Sequence, residues 1–102
     1  MALATIKLVN EKFMSEFYFK KDLAALAQQL LIDDQYRVQG GIAVANLEGE
    51  NVAEEVFDLT NNPSRDDERA DLYGRYRSVS VGDIVNVDGV DWLCCPQGWW
   101  MI

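Results

Sequence analysis

Asp83, Asp88 and Asp91, three carboxylates near the end of the chain, are the residues whose type and spacing come nearest to acid–base chemistry. Glycoside hydrolysis needs two carboxyl groups flanking one bond, one to give a proton and one to attack or to activate water. Two of the three have sufficient structural reasons instead: Asp83 starts a strand and Asp88 makes a hairpin turn. The chain has no histidine. That removes the commonest general base, any Ser-His or Cys-His nucleophile pair, and the usual nitrogen ligand of a metal. Cys94 and Cys95 are adjacent. They lack two further ligands at metal-binding spacing, and they can join each other only in a strained vicinal ring. They read as reduced thiols in a cytoplasm. Gly40-Gly41 is not followed by the Gly-Lys-Ser or Gly-Lys-Thr of a phosphate loop. These exclusions point to a protein that is not an enzyme and holds no cofactor or metal.

Charge is the next source of chemistry. The 102 residues carry 17 acids and 9 bases, a net charge of −8. The acidity is regional. Residues 1–21 sum to +2, whereas residues 48–74 hold nine acids against Arg65 and Arg69 and sum to −7. "YGRYR" (73–77) sets two arginines among tyrosines, a combination that can grip phosphates and stack on bases. Beside a segment of −7 it cannot neutralise the many phosphates that nucleic-acid affinity requires, so no direct nucleic-acid partner is expected. Arg75 and Arg77 read instead as ion-pair partners, or as covers of the sheet with their stems. An anionic surface of this kind either solubilises the protein or steers it to a basic partner.

The elements that must position these groups follow from periodicity. Residues 3–9 alternate and are rich in β-formers, and residues 12–19 read as a second strand with Phe13, Phe17 and Phe19 on one side of the pleat. Leu23, Leu26, Ala27, Leu30 and Leu31 form one apolar stripe of a helix from about Asp22 to Asp33 or Asp34. Residues 36–49 are β-like, with Gly40-Gly41 marking a bulge or turn. Val52, Val56 and Leu59 share a helical face that Pro63 stops by about Asn62. Ser64 suits an N-cap with Asp67 completing a capping box, Asp66, Asp67 and Glu68 suit the first turn, and Gly74 suits the stop. Glu54, Glu55 and Asp58 lie outside that turn, and Asp71 sits toward the helix end, where the dipole disfavours it. These four acids have no local reason in the sequence, and they are the candidate contacts for a basic partner.

Asp88-Gly89 is a type I′ hairpin signal. It pairs Val87 with Val90, Asn86 with Asp91, Val85 with Trp92 and Ile84 with Leu93. "PQG" (96–98) then turns the chain into a last strand. A three-residue loop there sets Cys94 opposite Trp100 on the core side and leaves Leu93, Cys95, Trp99 and Met101 on the other; a two-residue loop exchanges the faces. With the longer loop, Leu93, Trp99 and Met101 become candidate partner contacts, with Trp99 as the anchor. The expectation is a single α+β domain over residues 1–102, its sheet antiparallel or mixed and ending in a three-stranded meander. One amphipathic helix and two short acidic helices complete it. A composition 49% hydrophobic supplies a core, no run approaches a membrane span, and residues 1–13 lack the pattern of a signal peptide. No membrane partner is expected.

Residues 55–102 resemble a group of short, functionally uncharacterised proteins of tailed bacteriophages and related bacterial mobile elements. The resemblance rests on Asn61 to Arg65 (N-N-P-S-R), Arg77 to Val85 (R-S-x-S-V-G-D-[IV]-V), Asp88-Gly89, Cys94 or Cys95, and Gly98-Trp99. The group brings no catalytic residues. It implies a setting, the host bacterial cytoplasm, and the corresponding reading is a non-catalytic protein that binds and inhibits a host protein with a basic surface. The acidic surface would then imitate the charge of DNA. The alternative reading is a structural or assembly component whose apolar C-terminal sheet forms an interface, in a homo-oligomer or a phage particle.

Overall fold

The computed structural model describes residues 1–102. Five strands form one sheet in the order β2-β1-β3-β4-β5, every pair antiparallel. They are β1 (Ala2–Val9), β2 (Tyr36–Val44), β3 (Ile84–Val87), β4 (Val90–Cys95) and β5 (Gly98–Met101). Between β1 and β2 run a 3-10 helix (Glu11–Tyr18) and α1 (Leu23–Ile32). Between β2 and β3 run α2 (Glu50–Asn61), a 3-10 turn (Pro63–Arg65) and α3 (Asp66–Leu72). The α+β class and the C-terminal meander are as the sequence indicates. No helix is long and apolar enough to cross a membrane.

Helices pack on both faces of the sheet, so its strands feed two cores, although Leu3 and Val38 on the α1 side stay exposed. On one face Ala2, Ala4, Ile6 and Leu8 of β1, with Val85, Val87, Cys94 and Trp99, pack against Val52, Ala53, Val56 and Leu59 of α2. On the other, Val9, Ile84, Leu93 and Cys95 pack against Phe17 and against Leu23, Ala27 and Leu30 of α1. Asp22 caps α1 by accepting from the Ala25 N–H at 3.0 Å. The helix thus presents the expected stripe, with Leu26 and Leu31 at its half-buried margin. In β2, Thr5 pairs with Gly41 and Ile6 with Gln39, which leaves Gly40 as the extra residue of a bulge.

Three expectations are corrected. Residues 12–19 are not a strand. Both neighbouring positions of β1 are taken by β2 and β3, so the following segment has no partner there, and Asn10 starts a 3-10 helix by accepting from the Lys12 N–H. Phe13 and Phe17, four apart, then point to the α1-side core, while Phe19 is exposed. Ser64 is not the N-cap of α3. Asn62 accepts from both the Ser64 N–H and its hydroxyl, at 3.1 and 2.8 Å, and Pro63 opens a 3-10 turn leading into α3. At the other end Gly74, at φ +85°, donates to Arg69 O and stops the helix as expected.

The third correction concerns the last hairpin. Cys95 pairs with Gly98, so the loop has two residues, Pro96 and Gln97. The faces are therefore exchanged relative to the three-residue register. Trp99, opposite Cys94, is 6% exposed in the α2-side core, and Trp100, opposite Leu93, is 46% exposed. Leu93 is buried under α1. The Asp88-Gly89 turn, by contrast, has positive φ at both residues, 49° and 92°, and sets the pairing read from the sequence.

Candidate functional site

The α2–α3 unit is the region to which sequence reasoning assigned four of seven candidate contacts, and its side chains are ordered around one cation. Arg65 ends the 3-10 turn between the helices, and its side chain is 19% exposed. Its Nη1 and Nη2 donate to the two oxygens of Glu55 at 2.9 and 2.8 Å. Nε and Nη2 donate to Glu68 at 2.8 and 2.9 Å, and Nη1 donates to Asp58 at 2.9 Å. Three carboxylates thus occupy all five N–H groups of one arginine. The cluster keeps two net negative charges, with Asp58 and Glu68 about half exposed. The hydrogen bonds from Arg65 hold the Glu68 carboxyl below its usual range, and those from Glu55, Glu68 and Asp58 raise the Arg65 pKa.

The second base of the segment is turned inward. Arg69 Nη1 donates to Thr60 O at 2.7 Å and to Ser78 Oγ at 2.9 Å, and Nη2 donates to Tyr76 O. These bonds clip α3 to the end of α2 and to the chain leading into β3, and they neutralise no carboxylate. Both cations are therefore consumed by structure while the acids Glu50, Asp66, Asp67 and Asp71 lie exposed, in none of the ion pairs.

Each predicted contact now has a place. Glu55 and Asp58 bind Arg65. Glu54 accepts from the indole N–H of Trp99 at 2.7 Å, tying α2 to the edge strand β5. Three of the four acids thus have local structural roles that the sequence reading did not find, and Asp71 alone has no partner. Met101 is exposed and lies on the same sheet face as Trp99. Leu93 and Trp99 are buried and offer no contact surface. The Arg65–Glu68 pair was legible as i, i+3 spacing. Its links to residues seven and ten positions earlier depend on the bend between the helices.

The R-S-x-S-V-G-D stretch is a structural hub. Asp83, fully buried, accepts from the N–H groups of Val9 at 2.8 Å and Ser80 at 2.7 Å, and from Arg77 Nη1 and Nη2 at 2.7 and 2.9 Å. This joins the end of β1 to the start of β3. Hydrogen bonding to Asp83 raises the Arg77 pKa. Gly82 has φ +97°, and a Cβ there would lie 2.6 Å from the Phe17 ring, so only glycine fits. Burial pushes the thiols up, Cys94 to about 12 and Cys95 to about 11. Neither is a nucleophile at neutral pH. No group of three or more cysteine and carboxylate side chains is arranged to hold a metal ion. No family model matches the chain, and no curated protein or solved structure matches it.

Proposed function

We propose that this protein is a non-catalytic accessory protein of a bacteriophage or bacterial mobile element, one that docks its α2–α3 face on a basic surface of a host protein and inhibits it. One observation carries the reading. In a segment of net charge −7, Arg65 is enclosed by three carboxylates and Arg69 is spent on backbone carbonyls and a hydroxyl, so the segment's own cations are withdrawn and the exposed Arg75 beside Asp66 is outnumbered by the acids of the outer surface. Three of those acids are held in place by Arg65, which lowers the entropy lost when they meet a partner. Carboxylates fixed along a rigid helix pair offer a DNA-binding groove the charge pattern of a phosphate backbone.

For the assembly reading the meander offers a smaller apolar surface, since Leu93 and Cys95 lie under α1 while Trp100 and Met101 are exposed on the edge strand β5. The docking reading is tested by passing bacterial lysate over the immobilised protein and over a Glu50→Gln/Asp67→Asn/Asp71→Asn variant. A host protein retained by the parent, reduced on the variant and released by DNA or by raised salt supports the proposal. A partner held equally by both, or self-association without a host partner, refutes it.

A further inference from the structure

We propose that the cleft at the end of β1 and the start of β2 binds a small oxyanion, a carboxylate or phosphate group. The cleft encloses about 390 Å³ and is lined by residues 8–11, residues 34–37 and Arg77. Its volume falls within the ordinary range of small-molecule sites. Two arginines, Arg37 and Arg77, line it, and they differ in freedom. Arg77 is fixed. Nη1 and Nη2 are bound to Asp83, and they also donate to Ser78 O at 3.2 Å and Val9 O at 2.9 Å respectively. Its Nε, at one edge of the guanidinium, makes no hydrogen bond, and Glu11 stands 3.7 Å from it, beyond hydrogen-bond range.

Glu11 shows what chemistry that edge accepts. Its side chain is 76% exposed, and a surface pair held so loosely is worth little. An external oxyanion that displaced it would meet the immobile planar edge of Arg77. Arg37, which belongs to none of the ion pairs, would supply a second guanidinium. Asp34 also lines the cleft. Together with Glu11 it sets like charge against an anion, which contact with both arginines must offset. The site stands apart from the α2–α3 face and does not depend on the docking reading.

The test is titration of the 15N-labelled protein with inorganic phosphate and, separately, with acetate, at constant ionic strength, following Arg77 Nε–H and the amides of residues 8–11 and 34–37 by NMR. The expected result is a saturable shift of these signals, weakened about tenfold by Arg37→Ala and strengthened by Glu11→Gln. Tighter phosphate binding assigns a phosphate ligand, and tighter acetate binding a carboxylate. Both substitutions are at exposed residues, and an unchanged melting temperature verifies that the fold is intact. No saturable shift with either anion, a response indifferent to Arg37→Ala, or one that Glu11→Gln fails to strengthen overturns the proposal.

Discussion

Replacing Asp83 with Asn removes the charge at the centre of the hub while keeping nearly the same volume. The native carboxylate receives four hydrogen bonds, two at each oxygen. An amide offers one oxygen and one NH2 group, so two of the four donors face another donor. Arg77 also loses its buried counter-ion and keeps only Glu11, at 3.7 Å. Breaking a buried pair in this way costs about 3–5 kcal/mol. For a domain of roughly 100 residues each kcal/mol lowers the melting temperature by about 4–8 °C, which gives a loss of about 12–40 °C. Against a total stability of about 5–15 kcal/mol, the variant stands near the limit of folding. Thermal and urea unfolding, followed by circular dichroism and tryptophan fluorescence, measure the loss. Asp88→Asn is the control: Asp88 is exposed and accepts only from the Leu3 N–H at 2.9 Å, which an amide oxygen can also do in an Asn-Gly turn, so it should cost less than about 1 kcal/mol. If Asp83→Asn melts within a few degrees of the parent, the hub does not hold β1 to β3 as described.

Trp99→Ala should cost about 3–5 kcal/mol, whereas Trp100→Ala, at a half-exposed position, should cost about 1 kcal/mol or less; the opposite order in urea melts would restore the three-residue loop. Because the folded thiols keep their protons to about 12 and about 11 while an unfolded chain releases them near 9.0, stability should be unaffected by them below pH 9 and should fall as pH rises above it. Thiol reagents at neutral pH should label neither cysteine until the protein is unfolded, and rapid labelling of the native state would contradict their burial. Glu68 has its pKa lowered from 4.5, so its contribution is present above that pH and lost as pH falls through the folded value. The acid limb of a pH–stability profile should flatten in Arg65→Met, and an unchanged limb would mean that the network carries no stability.

Local signals were read correctly where the partner of a residue lay close in sequence. The Asp88-Gly89 turn fixed its own register, the leucine stripe marked α1, and Pro63 and Gly74 ended their helices. Segment 12–19 failed because its aromatics fit both periods. What decided was the occupation of both sides of β1 by β2 and β3, and β3 lies more than sixty residues further on. The last hairpin stays open between two loop lengths in the sequence, and that single residue inverts every side chain beyond it. The roles of Glu54 and Glu55 were hidden for a similar reason. Glu54 meets Trp99 across 45 positions, and Glu55 meets Arg65 only because the chain folds back between α2 and α3.

The anionic face is tested most directly by the rate at which a captured host protein associates with the parent and with Glu50→Gln/Asp67→Asn/Asp71→Asn, measured by stopped flow over a range of salt. The Arg65 cluster is intact in this variant, and losing two first-turn acids should cost only about 0.3–1 kcal/mol each. Steering by the exposed acids predicts a slower association at low salt, a flatter salt dependence and a dissociation rate changed less than the association rate. Association as fast as the parent's, with the same response to salt, would show that Glu50, Asp67 and Asp71 serve only solubility and would contradict docking through this face.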